Sequence, residues 1–255
     1  MIKSFFQSLE SNRVDYLLIS GQATVLYGAA AFSEDIDLWI DPNEENVGRV
    51  KKTLHELKAA YYKLSPRLDV KHLQRGHGLH FTLPDMPEIY LDIMGKPPRV
   101  GAFKDAAKKK KVMATEWGAI PTVGVHDLVA LKLTQRLGDY PIIGRLVINY
   151  LSTTESPSES DFRWAIEHVF TIEDFGELAR LHPRVKNHLQ IHTPAWSYAS
   201  GMDNPSPETT DLLETDLLAK MQAARQRDRH YWREIIDELK MLRSSGQLAT
   251  PGELV

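Results

Sequence analysis

Apolar positions along this chain switch repeatedly between a helical and a strand-like rhythm over the first half, then settle into helical spacing. Ile2, Phe5, Phe6 and Leu9 recur at helical intervals, which predicts a helix over Ile2–Ser11. Val14–Ile19 reads as a first strand. Ala23, Leu26, Tyr27 and Ala30 share one face of a short helix predicted over Gln22–Ala30. Ser33–Asp41 holds a second strand, which Asp41-Pro42-Asn43 breaks, and Glu44–Ala60 reads as an amphipathic helix. Strand-like runs follow at Arg67–Leu73, Gly78–Leu83 and Glu88–Met94.

A Pro- and Gly-containing loop begins at Gly95 and leads into Phe103–Lys111. Two short strands are expected at Val112–Thr115 and Ala119–Val123. Val125, Leu128 and Val129 mark the apolar face of a helix predicted over Val125–Leu137. The apolar run Pro141–Leu151, then Asp161–Phe170 and Ile172–Leu181, extend the helical reading, with Ser152–Ser160 as a loop and Thr171 as a cap. Thr193–Pro207, rich in Pro, Ser, Gly and Asn, is expected to be a long loop, and Glu208–Arg243 one long helix or two. The pattern as a whole predicts an α/β (α+β) chain: a mixed sheet with flanking helices over 1–123, then an all-helical region over 124–255.

Composition changes this picture little. At 42% hydrophobic and 25% charged residues, a sizeable core is within reach without staples. The absence of cysteine excludes disulfides and thiolate metal sites and fits a reducing cytoplasm. The first residues, MIKSFFQSLESNR, are too polar for a signal peptide, and no run approaches the roughly 18 apolar residues of a membrane span. The expectation is a cytoplasmic protein with no membrane partner. A formal net charge of −3 argues against a globally basic nucleic-acid binder, while leaving room for local basic patches.

The chemistry gathers between Ile19 and Asp41. In a strand, Asp35 and Asp37 fall on one face and Ile36, Leu38 and Ile40 on the other. Like charges that close need a compensating cation, and a hard divalent ion such as Mg²⁺ suits an oxygen pair. Upstream, Ser20-Gly21 makes a turn of small residues into a helix, where backbone N–H groups can approach a phosphate. In the third strand-like run, Asp92 stands alone among apolar neighbours, opposite Ile89, Leu91 and Ile93.

Ser20-Gly21, a gap of thirteen residues, then Asp35-Ile36-Asp37 resembles the signature of the DNA polymerase β-type nucleotidyltransferase superfamily. The phrase Phe32-Ser33-Glu34-Asp35-Ile36-Asp37-Leu38 is similar to its AbiEii-like bacterial branch, known from toxin–antitoxin and abortive-infection systems. The family pattern has Gly followed by Gly or Ser, where this chain has Ser then Gly; many members also carry an arginine shortly before the serine that precedes the acids, where this chain has Ala30-Ala31-Phe32. The resemblance implies a nucleotidyltransferase-like sheet and transfer of an NMP from a nucleoside triphosphate to a hydroxyl. The acceptor would be an RNA or tRNA end, a protein, or a small molecule such as an aminoglycoside. It implies two Mg²⁺ ions held by Asp35, Asp37 and Asp92, with Ser20 and Gly21 on the triphosphate, and a cognate antitoxin as a further partner. A catalytically silent relative with a binding or regulatory role, and a metal-dependent phosphohydrolase, are the rival expectations.

Lys132 and Arg136 continue the apolar stripe of the Val125–Leu137 helix at i+4 spacing, with Asp139 following. A cation there must snorkel or meet an anion, either a structural acid such as Asp139 or, as the resemblance implies, the nucleotide phosphates. Three further features carry alternatives. Lys108–Lys111, with Lys104 a turn earlier, is a phosphate-facing patch or a solvated face. Arg225–Arg233, holding four arginines with His230, Tyr231 and Trp232, is a single-strand RNA surface or an amphipathic helix. His77 and His80 are a weak metal pair that would need a third partner.

Overall fold

In a computed structural model of the chain, residues 2–185 and 207–255 are described. Compact packing divides the chain into two units. One comprises Met1–Leu26, Ala30–Leu131 and His230–Val255; the other comprises Tyr27–Ala29 and Lys132–Arg229.

The first unit is built on a seven-stranded mixed sheet. Its strands are β1 (Tyr16–Ile19), β2 (Ile36–Ile40), β3 (Ala60–Tyr61), β5 (Gly78–Leu83), β6 (Met86–Met94), β7 (Lys111–Thr115) and β8 (Gly118–Thr122), in the order β3-β5-β6-β2-β1-β8-β7. The β2–β6 and β1–β8 pairs are parallel; the other ladders of the sheet are antiparallel. A small second sheet pairs β4 (Ser65–Pro66) with β9 (Leu248–Ala249).

Strand alternation fixes which face is core. Ile36, Leu38, Leu91, Ile93, Leu79, Phe81 and Leu83 are buried, while Asp37, Tyr90, Asp92, His80 and Thr82, in the opposite phase, are not. The apolar stripes of α1 (Ile2–Ser11) and α3 (Glu44–Glu56) add Phe5, Phe6, Leu9, Val47, Val50 and Leu54 to the core. Asn43 caps α3 by accepting from Asn46 N. The helix ends at Glu56, four residues short of the predicted Ala60, with Leu57 as its C-cap and Lys58 in a left-handed φ of 52°.

The last residues of the chain strap the β3 edge. Tyr61 N donates to Glu253 O, Gly252 N to Tyr61 O and Val255 N to Ala59 O, and Arg67 pairs with Glu253. The end of the long helix α10 (Pro207–Ser244) is tied to the same unit. Glu238 meets Arg75 and His77, and the Tyr231 hydroxyl donates to Lys96 O.

The second unit is helical: α7 (Asp139–Thr153), α8 (Glu159–Glu167), α9 (Ile172–Leu181) and the start of α10. Ser158 and Asp161 form a capping box on α8, and Thr171 caps α9 by accepting from Asp174 N. Tyr140 packs edge-on against Phe170 at 4.9 Å. Lys220 donates to Ile166 O and Val169 O, satisfying carbonyls at and just beyond the end of α8. Burial of that ammonium pulls its pKa down to about 7, against a smaller opposing pull from Glu167.

Four further expectations are corrected. Arg67–Leu73 is not a strand: Asp69 accepts from His72 N and starts a short helix, α4 (Val70–Gln74). A side-chain cap there offers the backbone an alternative to a ladder. The helix predicted over Val125–Leu137 stops early, as α6 (Val125–Lys132). Beyond it, Gln135 N donates to Asp228 Oδ2 and Gln135 O accepts from Arg225, so side chains capture the backbone groups a further turn would need. The next helix begins at Asp139 rather than Pro141, since Pro141 in the first turn lacks an N–H that would be unpaired anyway. Of the loop predicted over Thr193–Pro207, Pro207 opens α10, and 193–206 lie outside the described residues.

Candidate functional site

The register of the sheet brings four polar side chains into one neighbourhood. Asp37 of β2 is the ladder partner of Asp92 of β6, and Asp92 is in turn the partner of His80 of β5. On the other side, Asp37 pairs with Ile19, the last residue before the Ser20-Gly21 turn. Adjacent strands lie about 4.8 Å apart, so Asp37 and Asp92 stand side by side. Asp35 comes immediately before β2 and shares the phase of Asp37. Further along β2 the same face closes over: Trp39 is fully buried, donates to Gly95 O at 3.0 Å and meets Phe103 edge-on. The open part of the face is therefore the end that carries the acids.

His80 Nδ1 lies 2.7 Å from Asp92 Oδ1, and each side chain keeps about a quarter of its surface in solvent (27% and 25%). An ionised carboxylate only accepts hydrogen bonds, so this contact places the imidazole proton on Nδ1. The contact also fixes the rotamer of Asp92.

Beyond His80 the neighbourhood continues into residues the sequence did not single out. Tyr62 N donates to His80 O, and the Tyr62 ring lies 5.7 Å from the His80 ring and 4.4 Å from that of Tyr90. Lys63 Nζ sits 4.4 Å from the centre of the Tyr62 ring. Burial pulls the Lys63 ammonium down. The Tyr62 hydroxyl and the negative charges of Asp92 and Asp35 outweigh that pull and hold its pKa above the ordinary value. Burial pushes the Tyr62 phenol up, with Asp92 and Asp35 adding to it against Lys63. Lys63 is thus a cation in the field of two of the three acids. No periodic signal marked it, because 62–63 fall between a predicted helix and a predicted strand.

The Ser20-Gly21 turn opens α2 (Ser20–Leu26). Ser20 carries a φ of 57°, the left-handed region that a residue with a Cβ rarely enters. Gly21 is required by close approach: a Cβ there would run into Ser33 Oγ and lie 2.9 Å from Ser33 Cβ. Gln22 Nε2 donates to Ser33 O at 2.9 Å, and Thr24 Oγ1 to Ser20 O at 2.6 Å. The turn is thereby clasped to the segment that leads into Asp35.

Most of the other sequence candidates have structural partners. Lys132 Nζ donates to Asp139 Oδ1 at 3.2 Å, with both side chains largely buried (13% and 10% exposed). Thr134 Oγ1 donates to the other carboxylate oxygen. Arg136 lies in the loop after α6, exposed, so it no longer shares a helical stripe with Lys132. In the lysine run Lys108 pairs with Asp105, and in the arginine stretch Arg225 donates to Gln135 O. His77 and His80 part company. His77 is fully buried, with Nε2 3.1 Å from Glu238 Oε2 but off the line of a good hydrogen bond, while His80 faces Asp92.

Among the described residues, no group of three or more His, Asp or Glu side chains forms a ready-made metal cage. The donor chemistry nonetheless fits a hard cation. Mg²⁺ is bound through one or two carboxylates and completes its shell with water and substrate phosphates, and Asp37 and Asp92 offer such a pair.

No family model matches the chain, and no curated protein matches it. Among solved structures the chain is similar to a Thermotoga maritima protein described as a candidate nucleotidyltransferase. The two share 17% identity at a TM-score of 0.36, over 48% of this chain and 74% of that one. At that level the likeness assigns no residue a role. No helix among the described residues is long and apolar enough to cross a membrane.

Proposed function

We propose that the open end of the β2–β6 face supports metal-dependent nucleotidyl transfer, moving an NMP from a nucleoside triphosphate to a hydroxyl acceptor with release of pyrophosphate. The observation that carries this reading is the pairing of Asp37 with Asp92 across a parallel ladder, with Asp35 at the entrance to the same strand. Two acids on one face, with Lys63 as the nearby cation, make an electrostatic site without an apolar purpose.

Asp35, Asp37 and Asp92 would hold two Mg²⁺ ions. When bound, such ions neutralise charge on the transferring phosphoryl group and lower the pKa of the attacking hydroxyl. His80 holds the Asp92 carboxylate in one orientation. Ser20 and Gly21 would meet triphosphate oxygens, which gives the left-handed Ser20 a functional reason for its strain. Lys63 would stabilise phosphate charge as it forms. A phosphate role for Lys132 would require an anion to compete with Asp139 for its ammonium, whereas Arg136 is exposed. The acceptor classes remain an RNA or tRNA end, a protein hydroxyl and a small molecule.

The test is to incubate purified protein with each α-labelled nucleoside triphosphate, Mg²⁺ and a cell extract, then ask which fraction carries label. Label in a macromolecular or small-molecule fraction with wild type, lost with Asp37→Asn, supports transfer. Free nucleotide or phosphate without a labelled acceptor supports the phosphohydrolase instead. Binding without turnover supports the silent, regulatory reading. The toxin–antitoxin setting adds a cellular expectation: overexpression arrests growth, and Asp37→Asn relieves the arrest.

A further inference from the structure

Tyr62 and Tyr90 form a close aromatic pair, 4.4 Å between ring centres, on the same side of the sheet as the acids. Tyr90 lies two residues before Asp92 on β6 and therefore shares its face, roughly 6.8 Å away along the strand. It keeps 41% of its surface in solvent, beside the charged Lys63–Asp92–Asp35 group rather than in the core. Tyr62 is fixed from behind: its N–H is bonded to His80 O, and the preceding residue is strapped by Glu253 and Gly252. A rigid, half-open aromatic surface next to a polyanion-handling site has the chemistry of a base-stacking platform.

Resting on the nucleotidyl-transfer reading, we propose that the Tyr62–Tyr90 pair is the subsite for a nucleobase, with Tyr90 presenting the stacking face. The spacing suits a nucleotide. A pentose separates base from phosphate, so a base on Tyr90 leaves its own phosphate within reach of the Asp37–Asp92 row. Lys63, over the Tyr62 ring, stands where it can meet that phosphate. The base belongs either to the nucleoside triphosphate or to the end of a nucleic-acid acceptor; stacking chemistry is common to both.

The experiment compares wild type, Tyr90→Ala and Tyr90→Phe for binding of three probes in the presence of Mg²⁺. The probes are a nucleoside triphosphate, inorganic tripolyphosphate, and a short single-stranded oligoribonucleotide. Loss of a stacking ring is expected to weaken the base-bearing probe by about 5- to 150-fold. Tyr90→Phe, which keeps the ring, should stay within about twofold of wild type, and tripolyphosphate binding should be unchanged. A loss confined to the nucleoside triphosphate assigns the subsite to the incoming nucleotide; a loss confined to the oligonucleotide assigns it to the acceptor. Equal binding of both base-bearing probes by Tyr90→Ala and wild type overturns the proposal, as does an equal loss for tripolyphosphate. Wild type that binds the triphosphate and tripolyphosphate alike, ignores the oligonucleotide, and still transfers label loses the subsite alone. Wild type that binds none of the probes and transfers nothing loses both readings.

Discussion

Asp37 and Asp92 are ladder partners across parallel strands, and Asp92 is held from its other side by His80 at 2.7 Å. The His80 contact gives Asp92 a fixed rotamer beside Asp37. If both hold Mg²⁺, removing either charge forfeits several kcal/mol of transition-state stabilisation. Asp37→Asn and Asp92→Asn should each lower kcat/KM by roughly a thousandfold or more, at tenfold per 1.36 kcal/mol. Thermal melting should shift little, because neither side chain is in the core. Near wild-type turnover in either variant removes it from the metal site.

Ser20 and Gly21 have opposite backbone demands, and each makes its own prediction. Ser20 sits at a φ of 57° despite its Cβ, so Ser20→Gly relieves a cost of about 1 kcal/mol and should raise Tm by roughly 2–4 °C. Gly21→Ala drives a methyl group into Ser33 and should lower Tm. If the Ser20 hydroxyl also meets phosphate, the stabilised Ser20→Gly variant should bind nucleoside triphosphate more weakly. Calorimetric melting together with a binding titration reads both effects on one protein.

Lys132 and Asp139 make a largely buried ion pair. Among the described residues, Lys132→Ala leaves Asp139 the Thr134 hydroxyl as its side-chain partner and should cost about 3 kcal/mol, the lower end for breaking a buried pair. A chain of this size should then melt roughly 6–12 °C lower. An unchanged KM for nucleoside triphosphate assigns the lysine to structure. A rise in KM with an unchanged Tm would reverse that assignment in favour of phosphate.

Within the sheet unit, the clamp of Arg75 and His77 on Glu238 at the end of α10 should weaken in acid. Burial lowers the pKa of His77, against a smaller opposing pull from Glu238. In the unfolded chain His77 takes up its proton near pH 6.5, while in the fold it stays neutral to lower pH, so stability falls as pH drops below about 6.5. Glu238 shifts down as well: burial alone would raise it, but His77 and Arg75 together outweigh that. Its contribution is present above its unfolded pKa and is lost as pH falls through the folded value. Both groups destabilise the acid form. Denaturation midpoints from pH 7.5 to 4 should fall less steeply for His77→Gln than for wild type, and parallel slopes would rule the clamp out as the cause.

What the sequence determined by itself was local. The period-2 phase of Asp35-Ile36-Asp37-Leu38 and of Leu91-Asp92-Ile93 put the acids on the side opposite the apolar residues, because side-chain direction in a strand follows from the backbone alone. The helical stripes of α1 and α3 and the cap at Thr171 were legible for the same reason. Tertiary structure decided everything that depends on which strands become neighbours. No periodicity states that β6 inserts between β5 and β2, yet that order alone sets Asp37 beside Asp92 and Asp92 beside His80. The ends of helices were decided by distant side chains: Asp228 and Arg225 capture the backbone at Gln135, so α6 stops at Lys132 and Arg136 leaves its stripe. Tyr62 and Lys63 carried no sequence signal, because their place beside the acids is made by long-range bonds to β5 and to the chain's last residues. Such contacts pair groups far apart in sequence, and only the closed sheet specifies them.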